Sequence, residues 1–344
     1  MGENTGKEQN AFLTLLDLYF DVDEMKKNIE DYLAEAQGAT KWMLYSDYCL
    51  DDNTKPNDVV TFALMPFMSE EHYLEIQESI KSLQPTDIKK TRHINPDFLY
   101  LLKKEPIYMV SFILNERKEY LGANHSQRVS NIKGSLEIIR DCYIQWRKKA
   151  ADGNMQSYFE RVAKTINSKV TKLDQSKSPN IKLLSDILII SFAGAYFSYR
   201  VLENVDVEIF GWFSDRDNII SGEDNIIVPI FNYYLHNLWK GNKQYHFCTM
   251  TPDSSNELFY DEFNRMVDVV TGAVADYNME VNAISADKFD TVLTEYTADN
   301  SKYSLFRFYT DNGNLRLARV VIKKKCRARM WIKKAVAFFR MKKS

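Results

Sequence analysis

The residues of this chain with the clearest chemical potential are aspartates that recur where apolar runs end. Asp47 lies near the end of Lys41-Trp-Met-Leu-Tyr-Ser-Asp47-Tyr-Cys49. Asp215 follows the run Val205–Phe213, with Asp217 two residues on, and Asp268 sits inside a periodic segment that opens near Ser254. Three or four carboxylates converging on one point repel one another unless a cation neutralises them. Mg²⁺ and Mn²⁺ suit that task, being hard ions that take oxygen ligands. Two such ions about 4 Å apart activate a water and stabilise the leaving oxygen in phosphodiester cleavage. Each aspartate also has a plainer reading. Asp47 precedes Asp51, Asp52, Asn53, Pro56 and Asn57, which spell a turn. Asp215 fits a strand-end turn, Asp268 a solvated helix face, and Asp253 a helix start favoured by the macrodipole.

Other chemistries lack their parts. Cys49, Cys142, Cys248 and Cys326 are far apart, without zinc-ligand spacing, and read as reduced thiols of a cytoplasmic protein. The five histidines form no paired motif. No Ser/His/Asp or Cys/His arrangement is visible, and no phosphate-cradling glycine loop points to nucleoside triphosphate hydrolysis.

The elements that must carry these residues follow from periodicity. Residues 10–37 show helical spacing broken near Asp21. In the Asp47 run, Trp42 and Leu44 face one way and Met43, Tyr45 and Asp47 the other. Asp58–Phe67 is a second strand that stops at Pro66, and Ser69 caps a helix to about Leu83. Asp87–Thr91 reads as a polar extended segment and Pro106–Leu114 as a third strand. Residues 116–204 are wholly helical, a large insertion with breaks at Asp152-Gly153 and Ser176–Pro179. Strand Val205–Phe213, a helix over about 223–239, strand Gln244–Met250 and a helix opening on Ser254 with Glu257 as a capping box follow. Asp311-Asn-Gly-Asn314 between two apolar runs is a hairpin signal. The order is α/β, and the two aspartate-bearing strands can neighbour each other in one sheet.

This order and spacing resembles an uncharacterised family of ribonuclease-H-like proteins read as nucleases, which opens on Tyr-x-Asp-Glu-Ser-Gly. Here the opening is Tyr45-Ser-Asp47-Tyr-Cys-Leu50. A family Glu-x-Lys is matched loosely by Asp87-Ile-Lys89, and a later strand-end Asp by Phe213-Ser-Asp215. The closing Asp-Ser and Ala-Asp-x-x-x-Gly are matched by Asp253-Ser254 and Val267-Asp268-Val-Val-Thr-Gly272. The resemblance covers residues 40–280. It implies a ribonuclease-H-like mixed sheet flanked by helices, with the helical insertion 116–204 within the core. An N-terminal helical segment, 1–39, precedes it; a hairpin and basic amphipathic appendage, 281–344, follows. It further implies Mg- or Mn-dependent hydrolysis of a nucleic-acid phosphodiester, with Asp47, Asp215 and Asp268 holding the metal and Asp87 or Asp217 auxiliary. The departure is Tyr48-Cys49-Leu50 in place of Glu-Ser-Gly. If that glutamate is a ligand, this chain takes a ligand from elsewhere, binds one ion, or is a catalytically inactive binding or scaffold protein. Such a protein would act through its helical insertion, with a protein partner there, and through its tail. On the helix of Asp268, Gly272 and Ala275 share its face and permit another segment to come close.

The net charge of −2 conceals two opposed regions. From Arg316 onward there are twelve Lys and Arg and no acid, while the preceding 315 residues carry 33 basic against 47 acidic residues. The tail has three readings. Lys323, Lys324, Lys325, Arg327, Arg329, Lys333 and Lys334 can neutralise nucleic-acid phosphates. Trp331, Phe338 and Phe339 fit a membrane interface. A terminal helix can also dock on the acidic body or a protein partner. The most apolar run, Ile187–Phe197, is short for a bilayer and reads as a buried helix.

Overall fold

The computed structural model describes residues 5–175, 180–250 and 258–323. Its elements in chain order begin with α1 (Thr5–Phe20), α2 (Asp23–Glu35), β1 (Lys41–Cys49), β2 (Val59–Pro66), α3 (Glu70–Leu83), α4 (Pro96–Lys104) and β3 (Tyr108–Ile113). There follow α5 (His125–Lys149), α6 (Gly153–Asp174), α7 (Ile181–Leu202), β4 (Ile209–Ser214), α8 (Asn218–Ser221), α9 (Ile227–Leu238) and β5 (His246–Thr249). The chain continues with α10 (Asp261–Asp276), α11 (Asp287–Val292), β6 (Tyr303–Asp311) and β7 (Asn314–Val320).

The seven strands form one mixed sheet in the order β5-β4-β1-β2-β3-β6-β7. β1 runs parallel to β4, β4 to β5, and β3 to β6; β2 and β7 are antiparallel to their neighbours. Alternation along β1 sorts its side chains between two cores. Trp42, Leu44 and Tyr48 enter one with α1, α2, α5, α6, α7 and α9. Met43 and Tyr45 enter the other with α3, α4, α10 and α11. Both faces of the central strands are covered, which is why β2 and β3 are buried at every position.

The helical insertion lies directly on the sheet. Asn124, Asp152 and Asn180 each accept backbone N–H bonds at the starts of α5, α6 and α7, so all three helices are Asx-capped. A Cβ at Gly194 would stand 2.7 Å from the Phe62 ring of β2, so glycine is what lets α7 lie against the strand. By length and composition Ile181–Leu202 could cross a membrane, yet 83% of its most apolar window is buried among other elements.

Several boundaries differ from the sequence expectation. α10 begins at Asp261 and not at Ser254; the expected box of Ser254 and Glu257 lies outside the described residues. The helix expected from 223 starts at Ile227, because Glu223, Asp224 and Asn225 are all left-handed, with φ of 52°, 61° and 57°. Asp87–Thr91 is a tight turn instead of an extended segment, with Ile88 buried. α4, capped by Asn95 and opened by Pro96, had not been expected. The hairpin formed as read, with Asn312 and Gly313 both at positive φ.

Candidate functional site

Asp47 and Asp215 leave adjacent parallel strands at one edge of the sheet. Ser46 of β1 pairs with Ser214 of β4, and the Asp215 amide donates to the Ser46 carbonyl at 3.0 Å, which carries the register one residue past the strand. Both carboxylates therefore project to the same face, the one that α10 covers. The register is fastened from the opposite face by a buried hydroxyl network. Trp212 Nε1 donates to Ser46 Oγ (2.9 Å), Ser46 and Tyr48 hydroxyls share a bond of 2.8 Å, and Ser214 Oγ donates to Tyr48 Oη (3.0 Å).

α10 brings the third carboxylate. Asp268 lies half-buried on the partly exposed stripe of α10 that it shares with Asp261, Glu262, Arg265 and Gly272, between the buried position of one reading and the solvated face of the other. Phe263, Met266, Val267 and Val270 pack in the core shared with α3, α4 and α11, while the turn at Asp87–Lys90 rests on the outer side. The Ile88 amide donates to Asp268 Oδ2 at 2.8 Å. Gly272 makes this possible: a Cβ there would lie 2.8 Å from Ile88 Cγ2. Close approach at Gly272 is thus the device that seats the turn on the helix.

The electrostatics tie the three acids together. Asp47 is only 7% exposed. Burial first, then the charges of Asp268 and Asp215, push its carboxyl well above the usual range; the Thr271 hydroxyl and Tyr48 amide partly offset this. That hydroxyl has a single proton and also faces the Val267 carbonyl at 2.9 Å. Burial, with Asp87 and Asp215 adding to it, raises Asp268 to about 6 against the pull of the Ile88 amide. Asp215 is raised by burial and by Asp261 and Asp87, against the amide and charge of Arg216. Each acid is held up first by lost hydration and then by like charge, the condition that a cation relieves.

The auxiliary candidates divide. Asp87 is exposed, pairs with Lys90 at 3.3 Å, and lies near enough to Asp268 and Asp215 to raise both. Asp217 caps α8, accepting the Ile219 amide at 2.8 Å, so that oxygen is committed to the backbone. Among the described residues, no group of three His, Cys, Asp or Glu side chains is gathered closely enough to hold a metal ion. Asp253 and, in the tail, every residue from Lys324 onward, including Lys325, Arg327, Arg329, Lys333, Lys334, Trp331, Phe338 and Phe339, lie outside the described residues; Lys323 is exposed. Burial lifts the Cys49 thiol to about 11, so it stays protonated and is a poor nucleophile.

Sequence reasoning had missed the Ser46–Tyr48–Ser214–Trp212 network. Its signal was present: serines and an aromatic alternate with Asp47 and Asp215 at period two, which puts them together on the other face. No family model matches the chain, and neither a curated protein nor a solved structure does.

Proposed function

We propose that this protein is a divalent-metal-dependent phosphodiesterase acting on nucleic acid, built on a ribonuclease-H-like sheet of the family that its motifs resemble. One observation carries the reading. Asp47 and Asp215 stand side by side at the ends of parallel strands, and Asp268 is held over them with a raised pKa. The strand order β5-β4-β1-β2-β3, with β2 alone reversed among these five, is compatible with such a sheet.

The donor set is all oxygen and anionic, which fits Mg²⁺ or Mn²⁺ and not a thiophilic ion. Asp47, Asp215 and Asp268 would hold the ion, with Asp87 as a further anionic oxygen on the covering turn. When bound, the ion neutralises these carboxylates and supplies the Lewis acid that phosphodiester hydrolysis needs. The chain's own groups position the acids. The Ile88 amide occupies one oxygen of Asp268 and leaves the other; the Thr271 hydroxyl and the Tyr48 amide favour the charged form of Asp47; the Ser46–Tyr48–Ser214 bonds keep the two strand ends level. Lys89, exposed on the same turn, lowers Asp268 through its charge and offers a cation to an anionic substrate.

A second reading is a non-catalytic binding protein of the same fold. It is favoured by Tyr48, which takes the place of the family's glutamate and gives its hydroxyl to the opposite face, and by the looseness of the acid group. Thermal unfolding with and without Mn²⁺ separates the two. Saturation at one hundred times the dissociation constant adds about 2.7 kcal/mol. The metal reading expects a clear rise in Tm for the wild type, lost in Asp47→Asn with Asp215→Asn. No rise at millimolar Mn²⁺ favours the non-catalytic protein.

A further inference from the structure

A second charged feature lies at the same sheet edge, on the α7 side. β1, β3 and β4 are parallel to one another through β2, so the segments after them all emerge at the edge that carries Asp47 and Asp215. The segment after β3 holds Arg117, 3% exposed, whose guanidinium binds Asp51, Asp58 and Asp186. Beside this anchored arginine, against its partner Asp186, opens a cavity of about 160 Å³, lined also by Lys118, His125, Arg128, Ile181, Lys182 and Ser185.

Its charge is one-sided toward solvent. Asp186 at its wall is matched by Arg117 at 2.7 Å, and Lys182 pairs with Asp51. Lys118 and Arg128 have no carboxylate partner among the described residues; the Arg128 guanidinium donates to the Lys118 backbone carbonyl (3.0 Å), which ties it to the segment that carries Lys118. The volume falls below the roughly 300–1,000 Å³ of pockets that engulf a whole small ligand, and suits a single anionic group. The cavity also opens the α5–α6 hairpin, which has ten Lys and Arg against five acids over residues 125–174 in an otherwise acidic body.

Asp51 is four residues beyond Asp47 in the chain, so their Cα atoms are at most about 14 Å apart. A nucleic-acid strand rises about 3.4 Å per nucleotide. We propose that this cavity is a phosphate subsite: Lys118 and Arg128 hold a backbone phosphate of a nucleic-acid strand a few nucleotides from the group presented to Asp47, Asp215 and Asp268. The proposal rests on the reading of those acids as the reacting centre, and it adds that the substrate is a polynucleotide and not a mononucleotide.

The test keeps the two apart by removing the metal. Binding of a fluorescein-labelled 20-nucleotide DNA strand and its RNA counterpart is measured by anisotropy in EDTA, on the full chain, over a range of salt. Lys118→Gln with Arg128→Gln is compared with Asp47→Asn with Asp215→Asn, and with Arg147→Gln with Lys164→Gln on the far part of the hairpin. The pocket variant is expected to bind about tenfold more weakly. Its slope of log K against log salt falls by about 0.7, the value of one phosphate contact on a single strand. The far-hairpin variant keeps the wild-type slope, the carboxylate variant binds no more weakly than the wild type, and the pocket and far-hairpin variants keep their Tm within a few degrees. Binding and slope unchanged in the pocket variant overturn the subsite. So does failure of the wild type to bind either strand, while pocket-dependent binding of inorganic polyphosphate tighter than that of either strand overturns the nucleic-acid assignment. Pocket-dependent binding without Mn²⁺-dependent cleavage keeps the subsite and removes the enzyme reading.

Discussion

Asp47, Asp215 and Asp268 are each costly to keep ionised in the folded chain, and that cost has a sign that can be measured. A carboxyl whose pKa is raised on folding is favoured while protonated. Its contribution is intact below the unfolded pKa near 4 and is lost as pH rises through the folded value, about 6 for Asp268. Asp268→Asn should therefore be more stable than the wild type at pH 7.5 in EDTA, by about 1–2 kcal/mol, with the gap closing by pH 4.5; urea unfolding at the two pH values checks it. If Asp268 is a ligand as proposed, the gap should invert when Mn²⁺ is present. Arg117 gives the opposite case. Its removal in Arg117→Met strands three carboxylates around a buried position, and a loss of about 3–5 kcal/mol is expected. Asp186, already raised to about 6 by burial, rises further without its partner, so the loss grows as pH increases from 5 to 8.

At the scale of elements, what matters is how closely backbones approach. Gly272 lets the Asp87–Lys90 turn rest on α10, and Gly194 lets α7 rest on β2. Gly272→Ala gains about 1 kcal/mol of helix propensity but forces Ile88 away from 2.8 Å. Its net stability should change little, within about 1 kcal/mol, while the amide of Ile88 exchanges faster and metal-dependent stabilisation weakens; hydrogen exchange at Ile88 checks this. Gly194→Ala meets an aromatic ring on one side and Phe231 at 3.2 Å on the other, with no loop able to yield. A loss of about 1–3 kcal/mol is expected from overpacking, read as a lowered urea midpoint. Tyr48→Phe removes the hydroxyl that joins Ser46 to Ser214 and leaves their groups without it; about 1–2 kcal/mol should be lost.

For the whole molecule, the sheet is shared by two cores, and the upper one draws on α1, α2, the insertion and α9 together. Tyr19 Oη donates to the Leu317 carbonyl across nearly the full chain, and Lys302 donates to Glu35 at 2.6 Å. The N-terminal helices and the hairpin are thereby fastened to one sheet. Removing residues 116–204 would uncover Phe62, Phe112 and Phe210 on the upper face. Such a deletion is expected to leave an insoluble or unfolded chain, not a smaller stable domain, as solubility and circular dichroism would report.

The sequence by itself determined the strands, their alternation, the Asn-Gly hairpin, the buried helix α7 and the aspartates at strand ends, because these depend on short-range periodicity and turn chemistry. It also carried Gly272 as a place of close approach. Only the tertiary structure decided that Asp47 and Asp215 are neighbours, since that follows from a parallel pairing across about 170 residues which no local pattern encodes. It alone half-buried Asp268, because the Asp87–Lys90 turn that rests on the partly exposed stripe of α10 comes from 180 residues away in the chain. Likewise, Arg117 and the cavity beside it arise from the meeting of three distant segments, each an ordinary charged loop or helix start when read along the chain.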